Sequence, residues 1–434
     1  MEFSPLTRGT AQNSPLCEGG ARGGRVRSPT NLLRLHSLRC RSRFVAAAAQ
    51  RHVTLTTVQH DEEPLRIARS EASNLTSRKV FNVYEKLTLS VVDQSPVRTD
   101  GTPAQALWET IELARICERL GYERYWVAEH HNLGNLAGTS PEVMIGQIAA
   151  RTTKIRVGSG GVMLSHYSSL KVAETFRMLE TLYPGRIDLG IGRAPGSDRA
   201  TAAALSYPRQ PVAVHQYPKQ VEDLIAFLNE TVPEDSPFAN IHAGPGQFTV
   251  PDVWLLGSRA ESAAMAAEMG LPFAYAHFFG LSVEDGPTIA EMYRRNFKPS
   301  KYLAEPKVNV ALQVLCAETE EEAIRLSASR NLSRVRSVQG ERTGVPPVEE
   351  ALAYQYRPDE WAYINSMKQF FVDGDPQQVK EKLHRYAEEY QTSDLSVVTI
   401  CYNFKDRIRS YELVAEACGL APYDGPSDVG NAPG

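Results

Sequence analysis

"IRVGSGGVMLSHYSSLKVAETFRMLETLYPGRIDLGIGRAPG" occupies residues 155–196, and the fold is read outward from it. It opens with a short β-branched run that gives way to three glycines. "SLKVAETFRMLETLYPG" (169–185) then sets apolar residues at helical spacing and stops at Pro184–Gly185, residues that punctuate a helix end. "RIDLGIG" (186–192) returns to a strand pattern and leaves through glycines. A strand, a helix and a second strand in this order form a βαβ unit, whose strands lie parallel.

The same rhythm extends in both directions. "LTLSVVDQSP" (87–96) and "RYWVAE" (124–129) are strands that flank a helix over 103–122, which begins at Pro103 and ends at Gly121. A helix over 140–153 leads into the opening unit. Beyond it come a helix-containing excursion (199–250), then "VWLLG" (253–257), a helix (258–270), "LPFAYAHFFG" (271–280) and a helix near 285–297. "KVNVALQVLCA" (307–317) precedes a helix over 319–337 with acids in its first turn and arginines in its last. Residues 338–372 read as irregular or partly helical. A helix over 375–390, capped by Asp375 with Pro376 at its first position, leads to "DLSVVTICYN" (394–403) and a final helix over 405–419.

Eight strand-then-helix units predict an α/β fold, a (β/α)8 TIM barrel with insertions. An open doubly wound sheet shares the alternation. Six strand ends favour the barrel: "DQSP", "EHHN", "GSGG", "GIGRAPG", "LLGSR" and "AHFF". In a barrel all six face one mouth.

The chain has 434 residues, and 23 % are charged. Its net charge of −4 is uneven: residues 1–60 hold nine arginines, no lysine and two acids, a net of +7, which leaves −11 for the rest. An acidic body argues against nucleic-acid binding. The domain reading is an Arg-rich disordered extension (1–85), a barrel (86–425) and a flexible tail (426–434). The extension has the composition of a transit peptide, or is a leader without function. The six cysteines (17, 40, 117, 316, 401 and 418) contain no CxxC pair, and no run is long enough to span a membrane. A reducing, cytoplasmic setting follows, with a mitochondrion or plastid the alternative if residues 1–60 are a transit peptide.

The strand ends carry the chemistry. Adjacent side chains on a strand point to opposite faces, so only one of His130 and His131 reaches the barrel axis. That makes a shared metal unexpected, and neither HExxH nor an early HxH occurs. Gly160 and Gly161 leave room for a flat ligand against bare backbone, or mark a β-bulge. "GIGRAPG" lacks the full dinucleotide fingerprint, but Arg193 is an anion contact or a surface salt bridge. Gly257, Ser258 and Arg259 open a helix, where free N–H groups favour phosphate; Ser258 is the candidate cap.

Together "LSVVDQSPVR", "RYWVAEHHN", the opening stretch and "VWLLGSRAESA" with "MGLPFAYAHF" resemble the bacterial luciferase-like flavin-dependent oxidoreductases over most of residues 87–420. The resemblance implies a barrel that binds FMN at its C-terminal mouth, usually in homodimers. By position it implies that His130 lies near the reactive edge of the flavin. Gly160–Gly161 matches a cis segment beneath the ring. Arg193 and the Gly257–Ser258 loop match phosphate contacts. His277 takes a mouth position, and His277 and Phe278 are substrate-pocket candidates; Trp126, Tyr167 and Phe279 are further lining candidates. Luciferase proper has a reactive cysteine where Gly192 stands, so the likeness is to the non-luminous branch.

The implied function is a monooxygenase that takes reduced FMN from a separate flavin reductase, with dioxygen as co-substrate, and oxidises a small organic molecule through a flavin hydroperoxide. A deazaflavin-dependent dehydrogenase, a silent flavin-binding protein and a metal-dependent hydrolase are the alternatives. The substrate is not legible.

Overall fold

The computed structural model describes residues 84 and 86–425, apart from 195, 211, 247–248 and 281–284. The expectations of a disordered extension over 1–85, of a transit peptide within it and of a flexible tail over 426–434 fall outside the described residues, Tyr84 excepted.

The strands are β1 (Thr88–Asp93), β2 (Arg124–Val127), β3 (Arg156–Met163), β4 (Ile187–Gly192), β5 (Asp252–Gly257), β6 (Phe273–Ala276), β7 (Val308–Cys316), β8 (Phe371–Gly374) and β9 (Asp394–Val398). The helices are α1 (Pro103–Leu120), α2 (Pro141–Ala149), α3 (Ser169–Leu182), α4 (Arg199–Ser206), α5 (Tyr217–Leu228), α6 (Ala260–Met269), α7 (Gly286–Asn296), α8 (Glu320–Val338), α9 (Val348–Ala353), α10 (Pro358–Lys368), α11 (Pro376–Glu389) and α12 (Phe404–Cys418).

β1 to β7 pair in order, all parallel, and β9 joins β7 back to β1. This closure makes the (β/α)8 barrel. Its eight strands are the eight expected. The reading of 338–372 as irregular or partly helical holds for α9 and α10 but misses a ninth strand, β8, that begins at its end. This strand runs parallel to the end of β7 outside the barrel, from Gln313↔Phe371 to Cys316↔Gly374. Four residues are too few to show a periodicity. The insertion also holds α9 and α10.

Strand alternation sorts the core. Trp126 faces inward and packs with Val92, Trp254, Ala274, Phe278, Ala311 and Val398. Its neighbours Tyr125 and Val127 belong to the larger cluster between the strands and the helices. The helix signals act as expected. Thr102 and Gln105 form a capping box at α1 and Gly121 ends it at φ 86°, while Asp375 and Gln378 form the box that opens α11.

At the end of β1, fully buried Asp93 accepts hydrogen bonds from Arg407 of α12 (2.6 Å), the Ser95 N–H (2.7 Å) and the Tyr125 hydroxyl. Burial pushes its carboxyl up, but Arg407 and these hydrogen bonds together hold it below the ordinary value. The pair ties β1, β2 and the last helix together beneath the mouth.

Candidate active site at the barrel mouth

A cavity of about 240 Å³ opens at the C-terminal ends of the strands. It is lined by His130, Gly160, Gly161, Arg193, Gly257, Ser258, Arg259 and Phe278, which were drawn from five strand ends across 149 residues of chain. Trp126 and Phe279 also line it.

The floor comes from β3. The Gly160–Gly161 peptide is cis, and the pairing with β4 shifts register between Gly160 and Val162. The two sequence readings of this segment, a bare ledge and a bulge, thus coincide. A Cβ on Gly160 would lie 3.1 Å from Trp126 Cβ, and one on Gly161 would lie 2.7 Å from the Gly190 carbonyl oxygen. At Gly161 glycine is required by the close approach of neighbouring backbone, while at Gly160 the tight contact is to a floor side chain that need give by only a few tenths of an ångström.

The wall at β5 is a helix start. Gly257 lets α6 close up, since a Cβ there would overlap Ser262 Cβ at 2.4 Å. The cap differs from expectation. Arg259, not Ser258, is the N-cap of α6, and it makes no side-chain cap hydrogen bond. The guanidinium has only donors and cannot accept from the first-turn N–H groups. The Ser262 N–H turns back onto the Arg259 carbonyl at 3.2 Å, and those of Ala260 and Glu261 stay beside a cation, an arrangement suited to an anion. No ion pair holds Arg193 or Arg259 among the described residues.

The histidine pair divides as strand geometry requires. His130 faces the cavity, and its Nδ1 is buried without a partner among the described residues. Burial and the adjacent His131 push its imidazole down to about 4, so it is neutral near pH 7. His131 turns away, with Nε2 2.7 Å from Glu129 Oε1. Glu129 also lines the cavity and was not among the expected site residues. Only its place beside two histidines could have drawn attention to it.

Two expectations are relocated. His277 does not line the cavity. Its Nδ1 lies 2.7 Å from the Tyr390 hydroxyl and its Nε2 3.2 Å from the Tyr386 hydroxyl, so both ring nitrogens are used in packing against α11. The chain turns into a single 3-10 turn at 277–279, which sends Phe278 inward and the histidine out. Tyr167 sits behind the wall, with its hydroxyl on Glu129. Among the described residues no cluster of three or more His, Cys, Asp or Glu is placed to hold a metal ion.

The family described as luciferase-like monooxygenase matches residues 87–392. The chain belongs to this family. An uncharacterised Bacillus subtilis (strain 168) protein is 46 % identical over 76 % of this chain and 99 % of its own length. The N-acetyl-S-alkylcysteine monooxygenase of the same organism is 36 % identical over 76 % of this chain and 98 % of its own. The solved structure of apo-MsnO8 superposes with a TM-score of 0.70 at 41 % identity, over 78 % of this chain and all of that one. The luciferase-like monooxygenase match spans every barrel strand except β9, and all the cavity residues named above lie within it.

Proposed function

We propose that this chain is a luciferase-like monooxygenase that uses reduced FMN, delivered by a separate reductase, and dioxygen to oxidise a small organic substrate. The observation that carries this reading is one apolar cavity that combines a side-chain-free glycine floor, two unpaired arginines beside an uncapped helix start, and a neutral, unpartnered histidine. A flat ring with an anionic tail fits that set of groups. Gly160–Gly161 would carry the ring, and Arg193, Arg259 and the first turn of α6 would hold the phosphate.

When bound, the reduced flavin supplies the electrons that activate dioxygen. The rest falls to the protein. Trp126, Phe278 and Phe279 exclude water from the floor and rim. His130, neutral at working pH, presents Nδ1, which has no partner among the described residues, for a hydrogen bond at the reacting edge. The relative named for N-acetyl-S-alkylcysteine oxidation makes thioethers the first substrates to screen.

A homodimer is supported by α2 and α3, which pack on each other and leave Val143, Met178 and Leu182 exposed. A cytoplasmic setting is supported by the four free cysteines among the described residues, and no helix there is long and apolar enough to cross a membrane.

The test is an anaerobic titration of the full chain with oxidised and photoreduced FMN, followed by air and a thioether panel. Saturable binding of the reduced form and oxygen-dependent product are expected. No binding to either form overturns the FMN reading. Hydride transfer to or from a deazaflavin without oxygen makes the chain a dehydrogenase, and binding without turnover makes it a silent flavin carrier.

A further inference from the structure

We infer that Glu129 is the positioning residue of this cavity: its carboxylate clips His131, Tyr167 and the exit of β3 together and so presents His130 to the flavin. The inference rests on the FMN reading.

Glu129 is 2 % exposed. A carboxylate so placed persists only when its oxygens are satisfied. Oε2 accepts the Met163 N–H at 2.8 Å; Oε1 accepts the Tyr167 hydroxyl at 2.7 Å and lies 2.7 Å from His131 Nε2. The three partners sit on three different pieces of the wall. Met163 ends β3, just past the glycine floor. Tyr167 follows the 3-10 turn 164–166. His131 belongs to the strand end that bears Glu129 itself.

In extended chain, side chains two residues apart share a face. The Glu129–His131 contact therefore spans His130, whose ring lines the cavity. The ring of His130 is not held by its Nδ1, which has no partner among the described residues. Its orientation depends on its backbone, where the His130 N–H donates to Gly138 O at 2.7 Å and the His131 N–H to Gly196 O at 3.2 Å. Glu129 stiffens that backbone from the side-chain direction.

The clip reaches further. Gln220 of α5 donates through Nε2 to the carbonyls of Leu164 and Tyr167, at 2.8 Å each. The excursion over 199–250 is thereby joined, through the turn and the Tyr167 hydroxyl, to a carboxylate on the cavity wall. This gives the excursion a defined line of contact with the site.

The test uses the full chain in two measurements. Ring-15N-labelled histidine spectra of the flavin-free wild type, E129Q and Y167F are compared at one neutral pH. Reduced FMN is then titrated into each. A glutamine keeps the shape but cannot accept from all three donors. We expect the His130 and His131 ring resonances to move in E129Q, and the Kd for reduced FMN to rise about tenfold. In Y167F, which removes one donor, the same resonances move less and Kd rises about threefold. A purely structural role lowers thermal stability but leaves the His130 resonances in place. Unmoved resonances, or moved resonances with affinities within twofold of wild type, overturn the inference. If E129Q does not fold, Y167F decides by the same criteria. If wild type binds no FMN, the cofactor reading falls while the histidine spectra still judge the clip.

Discussion

Replacing Gly161 with alanine tests the geometry of the cavity floor. The added Cβ would lie 2.7 Å from the carbonyl oxygen of Gly190, 2.9 Å from its carbon and 3.2 Å from the nitrogen of Ile191. All three are backbone atoms of β4, which pairs with β3 on one side and β5 on the other. No rotamer change can relieve the overlap. Overpacking of a core ordinarily costs about 1–3 kcal/mol, and backbone that cannot yield puts G161A near ~3 kcal/mol. Gly160 supplies the control. Its Cβ would meet side chains, Trp126 at 3.1 Å and Val92 at 3.6 Å, so G160A should cost only ~1 kcal/mol. With an unfolding entropy of roughly 2 cal/mol/K per residue over the roughly 330 described residues, these become losses of about 4 °C and about 1.5 °C in Tm. Differential scanning calorimetry reads both, and titration with reduced FMN reads the floor. G161A should bind flavin several-fold more weakly than G160A. A G161A protein that melts within 1 °C of wild type and binds flavin normally would refute the argument.

Three further outcomes follow from charge. His130 and His277 are each pushed down to about 4, chiefly by burial. The unfolded chain protonates these imidazoles below about 6.5, which the native chain resists until about 4. Stability therefore rises with pH across that window and falls on acidification, by at most about 3 kcal/mol per histidine. Tm measured from pH 7 to pH 5 should drop, with a shallower slope in H277N; an identical slope contradicts the assignment. R407M leaves the Asp93 carboxylate buried without its cation and should cost about 3–5 kcal/mol in urea melts. The D93N/R407M double variant should regain part of that, and a double variant no more stable than R407M would show that the pair is not the cause. R193M and R259M should each weaken FMN about tenfold or more while sparing riboflavin, which lacks the phosphate. Equal losses for both flavins would remove the arginines from phosphate binding.

The sequence alone determined the barrel, because each unit carries local signals that tertiary contacts reinforced. The 3.6-residue spacing of 169–182, the Pro103 and Gly121 ends of α1 and the Asp375–Pro376 start of α11 each act within a few residues. The glycines at 160 and 161 were legible for the same reason: a missing side chain in a strand is itself a local signal. What the sequence could not reveal depends on residues far apart in the chain. β8 exists because Phe371–Gly374 finds the end of β7, which lies 58 residues earlier. His277 is a packing residue because Tyr386 and Tyr390, 109 and 113 positions later, meet its two nitrogens. Arg259 became the helix cap in place of Ser258 through backbone geometry that composition does not encode. Glu129 is a keystone only because Met163 and Tyr167 are delivered to it across the barrel wall. Periodicity and turn chemistry act over a few residues, so they write the elements into the chain. Hydrogen-bond partners and burial exist only after those elements close on one another, and the closed barrel decided which polar side chains serve the cavity.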